Sequence, residues 1–228
     1  MLHFLFYKRN ILISYNIITS QMNKNFHKYL VICGIIAPIL FSIQLIIIGF
    51  YHPNYNHITQ YMSELGAINA PYASINNTGF SIGGILILLF SYGLYKESND
   101  KKTIVKLIGS SLVGISGLSF FLIGFFPCDT NCINVSTIGI IHSHLSNAAQ
   151  IPLIFAPLFL LPTFKKDKKW QTIYFYSIIT ITLGIIFFLI YKYYIFESYT
   201  GLFQRISFGI PLFWIEIMGI KIYRLEKF

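Results

Sequence analysis

Charged side chains are scarce in this chain of 228 residues. They make up 11% of the sequence, whereas a soluble domain carries roughly 25%, because water must wet its surface. Hydrophobic residues account for 55%, and the mean hydropathy is +0.63. This composition excludes an ordinary soluble protein and indicates a surface that faces mainly lipid.

Long polar stretches and the signatures of soluble enzymes are also missing. No connection between apolar segments exceeds about two dozen residues, so a separate soluble domain does not fit. The sequence has no phosphate-binding glycine loop, no Gly-x-Ser-x-Gly elbow and no His-Glu-x-x-His helix. No internal repeat indicates a duplicated transporter. Whether the chain is an enzyme is left open, and no cofactor is predicted.

Six apolar segments are long enough to cross a membrane. A hydrocarbon core of about 30 Å needs about 20 apolar residues per helix. The sequence therefore predicts an all-α fold, a polytopic membrane bundle of six transmembrane helices. The segments are 29–50, 75–95, 104–126, 138–161, 173–191 and 202–223.

The basic residues predict the orientation of these helices. Fifteen of the 17 lysines and arginines fall between segments on one side, and only Lys192 and Arg205 fall on the other. The positive-inside rule places both termini in the cytoplasm. The net charge of +9 then reflects topology, and no nucleic-acid partner is predicted. The fifteen are Lys8, Arg9, Lys24, Lys28, Lys96, Lys101, Lys102, Lys106, Lys165, Lys166, Lys168, Lys169, Lys221, Arg224 and Lys227.

Residues 1–28 are set apart from the transmembrane domain 29–228. Their apolar stretch is interrupted by Lys8, Arg9 and Asn10 and is too short to span. A signal peptide would need a continuous apolar core and a small-residue cleavage site. Two interpretations remain, an interfacial amphipathic lead or a translation start at Met22.

The two longer loops on the predicted outer side carry no lysine or arginine, but they are rich in other polar groups. Polar side chains in hydrocarbon usually face the bundle interior or a wet cavity. We therefore expect one polar cavity that opens to the outer face. Its contributors are His52, His57, Glu64 and Asp129 from the loops, and Gln44, Asn76, Asn77, Ser81, His142, His144, Asn147, Gln150 and Arg205 from the helices.

The histidines and cysteines favour structural roles over a metal site. His142 and His144 lie about 200° apart around a helix, so only one can face a common centre. Hydrogen-bonded histidines are favoured, with metal binding and proton transfer as alternatives, and no metal site is predicted. Cys128 and Cys132 are candidates for a short-loop disulfide, because zinc would need two further ligands. Cys33 is expected to be a packing residue.

Glu216 is the acidic residue predicted to lie near the bilayer midplane. An intramembrane carboxylate is a functional candidate by default. Arg205 lies 11 residues earlier on the same helix face, about 16 Å away along the axis, too far for a direct ion pair. The carboxylate is interpreted either as a protonated packing group or as part of a proton relay.

Small and helix-breaking residues predict how the helices pack. Glycines at 83, 84, 109, 114 and 117 favour close helix contact. Pro38, Pro152, Pro157 and Pro211 are expected to kink or break their helices.

Several short motifs lie in and between the apolar segments. They are His52-Pro53 with Tyr55, Ser63-Glu64-Leu65-Gly66-Ala67 with Pro71, Asn76-Asn77-Thr78-Gly79-Phe80, Phe126-Pro127-Cys128-Asp129, His142 and His144, and Gln204-Arg205 with Trp214. Together these motifs resemble the DUF998 family of bacterial and archaeal integral membrane proteins. The resemblance covers residue 29 to the end, and it implies a six-helix bundle in a plasma membrane, the bacterial or archaeal cytoplasmic (inner) membrane, without implying an activity. The 63–71 segment is more weakly similar to the first outer loop of the Frag1/DRAM/Sfk1 families.

Three functions remain open at this stage. The first is binding or remodelling of membrane lipid or another amphiphile at the outer leaflet, with Arg205 suited to a phosphate. The second is a small secondary transporter or proton-coupled permease using Glu216, for which dimerisation into a homo-oligomer would offset the small size. The third is a non-catalytic scaffold. Candidate catalytic residues are Glu64, Asp129, His142, His144, Arg205 and Glu216. Candidate ligand-binding residues are Glu64, Asn76, His144, Asn147 and Arg205.

Overall fold

A computed structural model describes the backbone of residues 2–97, 103–165, 167–193 and 195–226, and side chains within these ranges from residue 22 onward except residue 103. Six of the residues used to predict the orientation lie outside the described side chains. They are Lys8, Arg9, Lys101, Lys102, Lys166 and Lys227.

Six long helices account for nearly all of the described chain, which contains no strand. Each contains a stretch long and apolar enough to cross a membrane, so the prediction of six transmembrane helices is confirmed. The helices are α1 (Leu2–Tyr51), α2 (Ala73–Lys96), α3 (Thr103–Ile123), α4 (Thr137–Phe164), α5 (Gln171–Lys192) and α6 (Thr200–Glu226). The chain is a multi-pass integral membrane protein.

The first helix is longer than its membrane span. Its backbone is helical from Leu2, whereas the apolar span covers Met22–Tyr51. The two interpretations of residues 1–28 therefore stay predictions. Helix α4 continues through Pro152 and Pro157 to Phe164, so these prolines do not break it.

The six helices form a closed ring in which each helix packs against its neighbours in sequence and α1 packs against α6. Aromatic side chains from four helices meet inside the ring. Phe120 of α3 lies 5.5 Å from Phe41 of α1 and 5.8 Å from Phe208 of α6, measured between ring centroids. Phe80 of α2 lies 5.1 Å from Phe41. Because the aromatic cluster joins both ends of the sequence, it fixes α6 next to α1.

The bundle has two chemically different ends. The ends of α2, α4 and α6 carry described lysines and arginines, and we call this the basic end. The opposite end carries the 52–72, 124–136 and 193–199 connections, and we call it the loop end. The positive-inside rule predicts that the basic end faces the cytoplasm.

Candidate functional site

A groove of about 530 Å³ runs between α1 and α6 on the loop-end half of the bundle. Ligand pockets for small molecules typically enclose about 300–1,000 Å³, so the groove is large enough for one. Its walls are mainly apolar. They are formed by Pro38, Phe41, Ser42, Leu45 and Ile46 of α1, by Phe208, Gly209, Leu212 and Phe213 of α6, and by Met62.

The groove opens sideways, toward the region that lipid occupies. Ile46 and Phe213 lie on its two rims, and they are 63% and 52% exposed. Gly209, which belongs to the α6 wall, leaves open space where a side chain would stand.

Three polar side chains complete the groove. Arg205 and His57 lie at its loop end, and Glu216 lies at its deep end. The 11-residue separation of Arg205 and Glu216 corresponds to about 16 Å along the helix, which is close to the depth of one leaflet of the hydrocarbon core. The shared face predicted for these two residues is thus one wall of the groove.

Arg205 is held in place by the 52–61 loop. Its Nη1 donates to the carbonyl oxygens of His57 at 2.6 Å, Gln60 at 2.9 Å and Gly201 at 2.8 Å. Its Nη2 donates to the hydroxyl of Tyr55. A guanidinium has five N–H bonds. Since Nη1 uses both of its own and Nη2 uses one, two N–H bonds remain for a ligand among the described contacts.

The ionisable side chains of the loop beside Arg205 are affected by burial and by the charge of Arg205. Burial, followed by the Arg205 charge, lowers the pKa of His57, so His57 is neutral at pH 7. Burial raises the pKa of Tyr55. The ring of His57 occupies the space that a Cβ would fill at Gly49, with its nearest atom 2.3 Å from that position.

The carboxylate of Glu216 makes no hydrogen bond or ion pair with any residue that the structure describes. Its side chain is half-buried on α6. An unpaired carboxylate at this depth is costly unless it is protonated or meets a ligand. Glu216 is therefore the chemically unusual residue of the groove.

A second, smaller pocket lies on the other side of α6, between α4 and α5. It encloses about 130 Å³ and is lined mainly by polar groups, including Ser63, His142, Asn147, Lys192 and Gln204. Gln204 accepts from the backbone N–H of Met62 at 2.7 Å. Because Met62 lines the groove and Gln204 lines the polar pocket, this contact forms part of the wall between them. Of the polar groups predicted for one cavity, His57 and Arg205 line the groove, whereas His142 and Asn147 line the polar pocket.

His142 and His144 face different surroundings. His142 is buried, and its Nδ1 lies 2.7 Å from the carbonyl oxygen of Phe126. Since a carbonyl only accepts, Nδ1 is the donor, which leaves the lone pair on Nε2. That nitrogen has no hydrogen-bond partner among the described residues. His144 is exposed.

Glu64 and Asn76 stabilise loops and helix packing. The Glu64 carboxylate accepts from the backbone N–H of Tyr61 at 2.8 Å and from Gln60 Nε2 at 2.9 Å. Asn76 is fully buried and accepts from Gln44 Nε2 at 3.2 Å. Neither residue lines the groove or the polar pocket.

Asp129 organises the 124–136 connection. Its carboxylate accepts from the backbone N–H groups of Val135 at 2.9 Å and Ser136 at 2.8 Å, and from the Ser136 hydroxyl at 2.6 Å. A disulfide joins Cys128 to Cys132, whose Cα atoms are 4.9 Å apart. These contacts indicate that Asp129 stabilises the conformation of this connection.

We expect Asp129→Asn to lower the melting temperature at pH 7 and to have no effect in strong acid. The Ser136 hydroxyl and backbone N–H groups lower the pKa of Asp129 below its ordinary value of 3.8. A lowered pKa means that the carboxylate stabilises the fold above that value and that the contribution is lost as the pH falls through the folded-state pKa. Melting temperatures of the two proteins, measured from pH 7 down to about pH 2, should converge only as the pH falls below 3.8. Glu197→Gln, at an exposed carboxylate, is the control, and a constant offset at all pH values would contradict the role.

Sequence reasoning missed a group of titratable side chains at the basic end. His27 Nδ1 lies 2.8 Å from Glu226 Oε2, and Glu97 lies beside them. The residues come from α1, the end of α2 and the end of α6, so no local motif brings them together. The available signal was that all three positions fall on the side of the predicted segments that carries most of the lysines and arginines.

Comparison with known proteins identifies a family but does not assign an activity. Residues 35–221 match the family described as "Protein of unknown function (DUF998)". No curated protein and no solved structure matches the chain.

Proposed function

The chain belongs to the DUF998 family, which has no assigned function, and we propose from its own geometry that it binds an anionic membrane lipid in the α1–α6 groove. The observation that carries the proposal is the combination of a lateral apolar groove with a fixed guanidinium at its loop end. In the predicted orientation, in a bacterial or archaeal cytoplasmic membrane, this end lies at the outer leaflet.

The dimensions of the groove suit one acyl chain. It extends about 16 Å, roughly half of a 30 Å hydrocarbon core, so a chain from one leaflet fits its length. Phe41, Leu45, Phe208 and Leu212 provide apolar walls. An acyl chain gains contacts with both helices there without leaving the hydrocarbon.

The loop end suits an anionic headgroup. Arg205 retains two unused N–H bonds and is surrounded by carbonyl oxygens that already hold its other donors. Guanidinium groups bind phosphate oxygens through paired hydrogen bonds. No described acidic side chain lines this end of the groove.

Filling the groove tests the proposal. Gly209→Leu places a side chain in open space on the groove wall and leaves the contacts of Arg205 intact. We expect a loss in affinity for phosphatidylglycerol of about tenfold, which corresponds to about 1.4 kcal/mol. Native mass spectrometry of the purified full chain, titrated with this lipid, measures the change.

Two comparisons make the experiment decisive. Thr182→Leu places the same leucine side chain at an exposed position of α5, outside the groove, and should bind like the wild type. Phosphatidylcholine should bind more weakly than phosphatidylglycerol, and inorganic phosphate should not displace the lipid. Equal lipid binding by Gly209→Leu and Thr182→Leu would refute the proposal.

Glu216 favours a second candidate, proton-coupled transport along the same groove. Its carboxylate lines the deep end and has no partner in the described structure. Under this alternative, Glu216→Gln retains lipid binding but abolishes movement of fluorescent phosphatidylglycerol between leaflets in proteoliposomes carrying a pH gradient. If the flux is the same in both proteins, the coupling role is excluded and lipid binding stands alone.

A further inference from the structure

Three metal-ligating side chains converge at the basic end, away from the groove. They are His27 of α1, Glu97 directly after α2, and Glu226 at the end of α6. One ligand atom from each residue lies within 4.8 Å of the other two. Residues separated by as many as 199 positions are therefore brought to one point.

The contacts of His27 direct one of its ring nitrogens toward the carboxylates. Its Nε2 lies 2.9 Å from the carbonyl oxygen of Gly93 and must donate to it. Its Nδ1 pairs with Glu226 Oε2 at 2.8 Å, and a metal ion bound here would take the place of the proton that this contact shares. Metal-binding histidines commonly have this arrangement, in which the other N–H donates to a backbone carbonyl and orients the ring.

The two carboxylates lie close together, and one of their oxygens is unpaired among the described residues. One oxygen of Glu97 is buried and has no hydrogen-bond partner among the described residues. Burial and the neighbouring Glu226 raise the pKa of Glu97 to about 8. Lys106 of α3 attracts Glu97 and lies 5.5 Å from the centroid of the Tyr95 ring.

We propose that His27 Nδ1 and the carboxylates of Glu97 and Glu226 bind one divalent transition-metal ion of the zinc class. One imidazole and two carboxylates are a donor set that zinc accepts, with water as the fourth ligand. Ligands about 2.0–2.1 Å from a tetrahedral ion lie about 3.3 Å from one another. The three atoms therefore need only a modest inward movement.

Such an ion would connect α1, α2 and α6 at the basic end. Two of these helices, α1 and α6, pack against each other and also form the walls of the groove. The metal site does not depend on the proposed lipid function, because none of its ligands lines the groove.

Metal titration of the full chain tests the site. The protein is purified in detergent with a tag that lacks histidine, treated with a chelator and titrated with Zn²⁺ by calorimetry and with Co²⁺ by visible absorption. We expect one equivalent to bind. Glu97→Gln and Glu226→Gln, which preserve side-chain size, should each weaken binding at least about tenfold. Zn²⁺ should raise the melting temperature of the wild type and not of these variants.

The matched control is Glu197→Gln, at an exposed carboxylate near the loop end. It should bind Zn²⁺ and Co²⁺ like the wild type. Absence of saturable binding by the wild-type protein would overturn the proposal, even if a cluster variant failed to fold. Binding that is unchanged in both cluster variants would do the same, since it would place the ion elsewhere.

Discussion

Gly84→Ala is expected to destabilise the bundle by about 3 kcal/mol, and Gly84→Leu to prevent folding. A Cβ at Gly84 would lie 2.2 Å from the backbone nitrogen of Phe121 and 2.6 Å from the carbonyl oxygen of Gly117. Backbone atoms cannot rotate away as a flexible side chain can. Helices α2 and α3 must therefore separate, and the packing around the contact is lost.

The contact at Gly84 is reciprocal. A Cβ at Gly117 would lie 2.6 Å from the backbone nitrogen of Leu88 and 2.9 Å from the carbonyl oxygen of Gly84. Close backbone approach through small residues is a main source of helix association in membranes, because lipid removes the hydrophobic drive between helices. Gly117→Ala should consequently show a loss similar to that of Gly84→Ala.

The remaining monomer peak in size-exclusion chromatography after heating measures these effects. Gly209→Ala is the matched control, because no atom lies within 4 Å of its added Cβ. It removes a transmembrane glycine without creating a clash and should leave the melting temperature unchanged or slightly higher. If Gly84→Ala and Gly209→Ala melted alike, the close α2–α3 contact would not govern stability.

The transmembrane helices could be predicted because length and hydropathy directly reflect the thickness of the hydrocarbon core. The predicted segment 75–95 and the observed α2 (Ala73–Lys96) differ by only a few residues. The close contact at Gly84 and Gly117 could also be anticipated, since glycine permits helices to approach. The shared face of Arg205 and Glu216 followed from helix geometry alone.

The surroundings of individual polar groups could not be predicted in this way. Glu64 and Asp129 were expected at one cavity, but their oxygens accept hydrogen bonds inside their own loops. Those bonds depend on turn conformations, such as the positive φ of 56° at Asn131, that have no periodic signal. The meeting of His27, Glu97 and Glu226 depends on which helices are neighbours, and hydropathy does not specify this.

Arg205→Ala is expected to lower the stability of the protein by about 2–4 kcal/mol. The substitution removes the donor from three carbonyl oxygens and from Tyr55. Bonds to a charged donor contribute about 1.5–3 kcal/mol each, but water at the loop end restores part of the lost solvation. The expected loss is therefore smaller than the sum of four bonds.

The start of α6 depends on the same contacts. A Cβ at Gly201 would lie 2.1 Å from the carbonyl oxygen of Gln60, and the N–H of Leu202 donates to the Ile58 carbonyl at 2.9 Å. The 52–61 loop is thus pressed against the first turn of α6, with Arg205 as its central donor. Without the guanidinium, the loop should detach first, and limited proteolysis should cut it.

Replacing Arg205 by lysine separates the effect of its charge from the effect of its hydrogen-bond geometry. Arg205→Lys retains the positive charge, but a single ammonium cannot serve the same carbonyls and Tyr55 together. It should recover less than half of the stability lost in Arg205→Ala. Arg224→Ala, at an exposed arginine of the same helix, should have no effect on melting or proteolysis. Full recovery by lysine would mean that the positive charge alone stabilises the protein. The hydrogen bonds to the loop would then not explain why an arginine lies at the end of the groove.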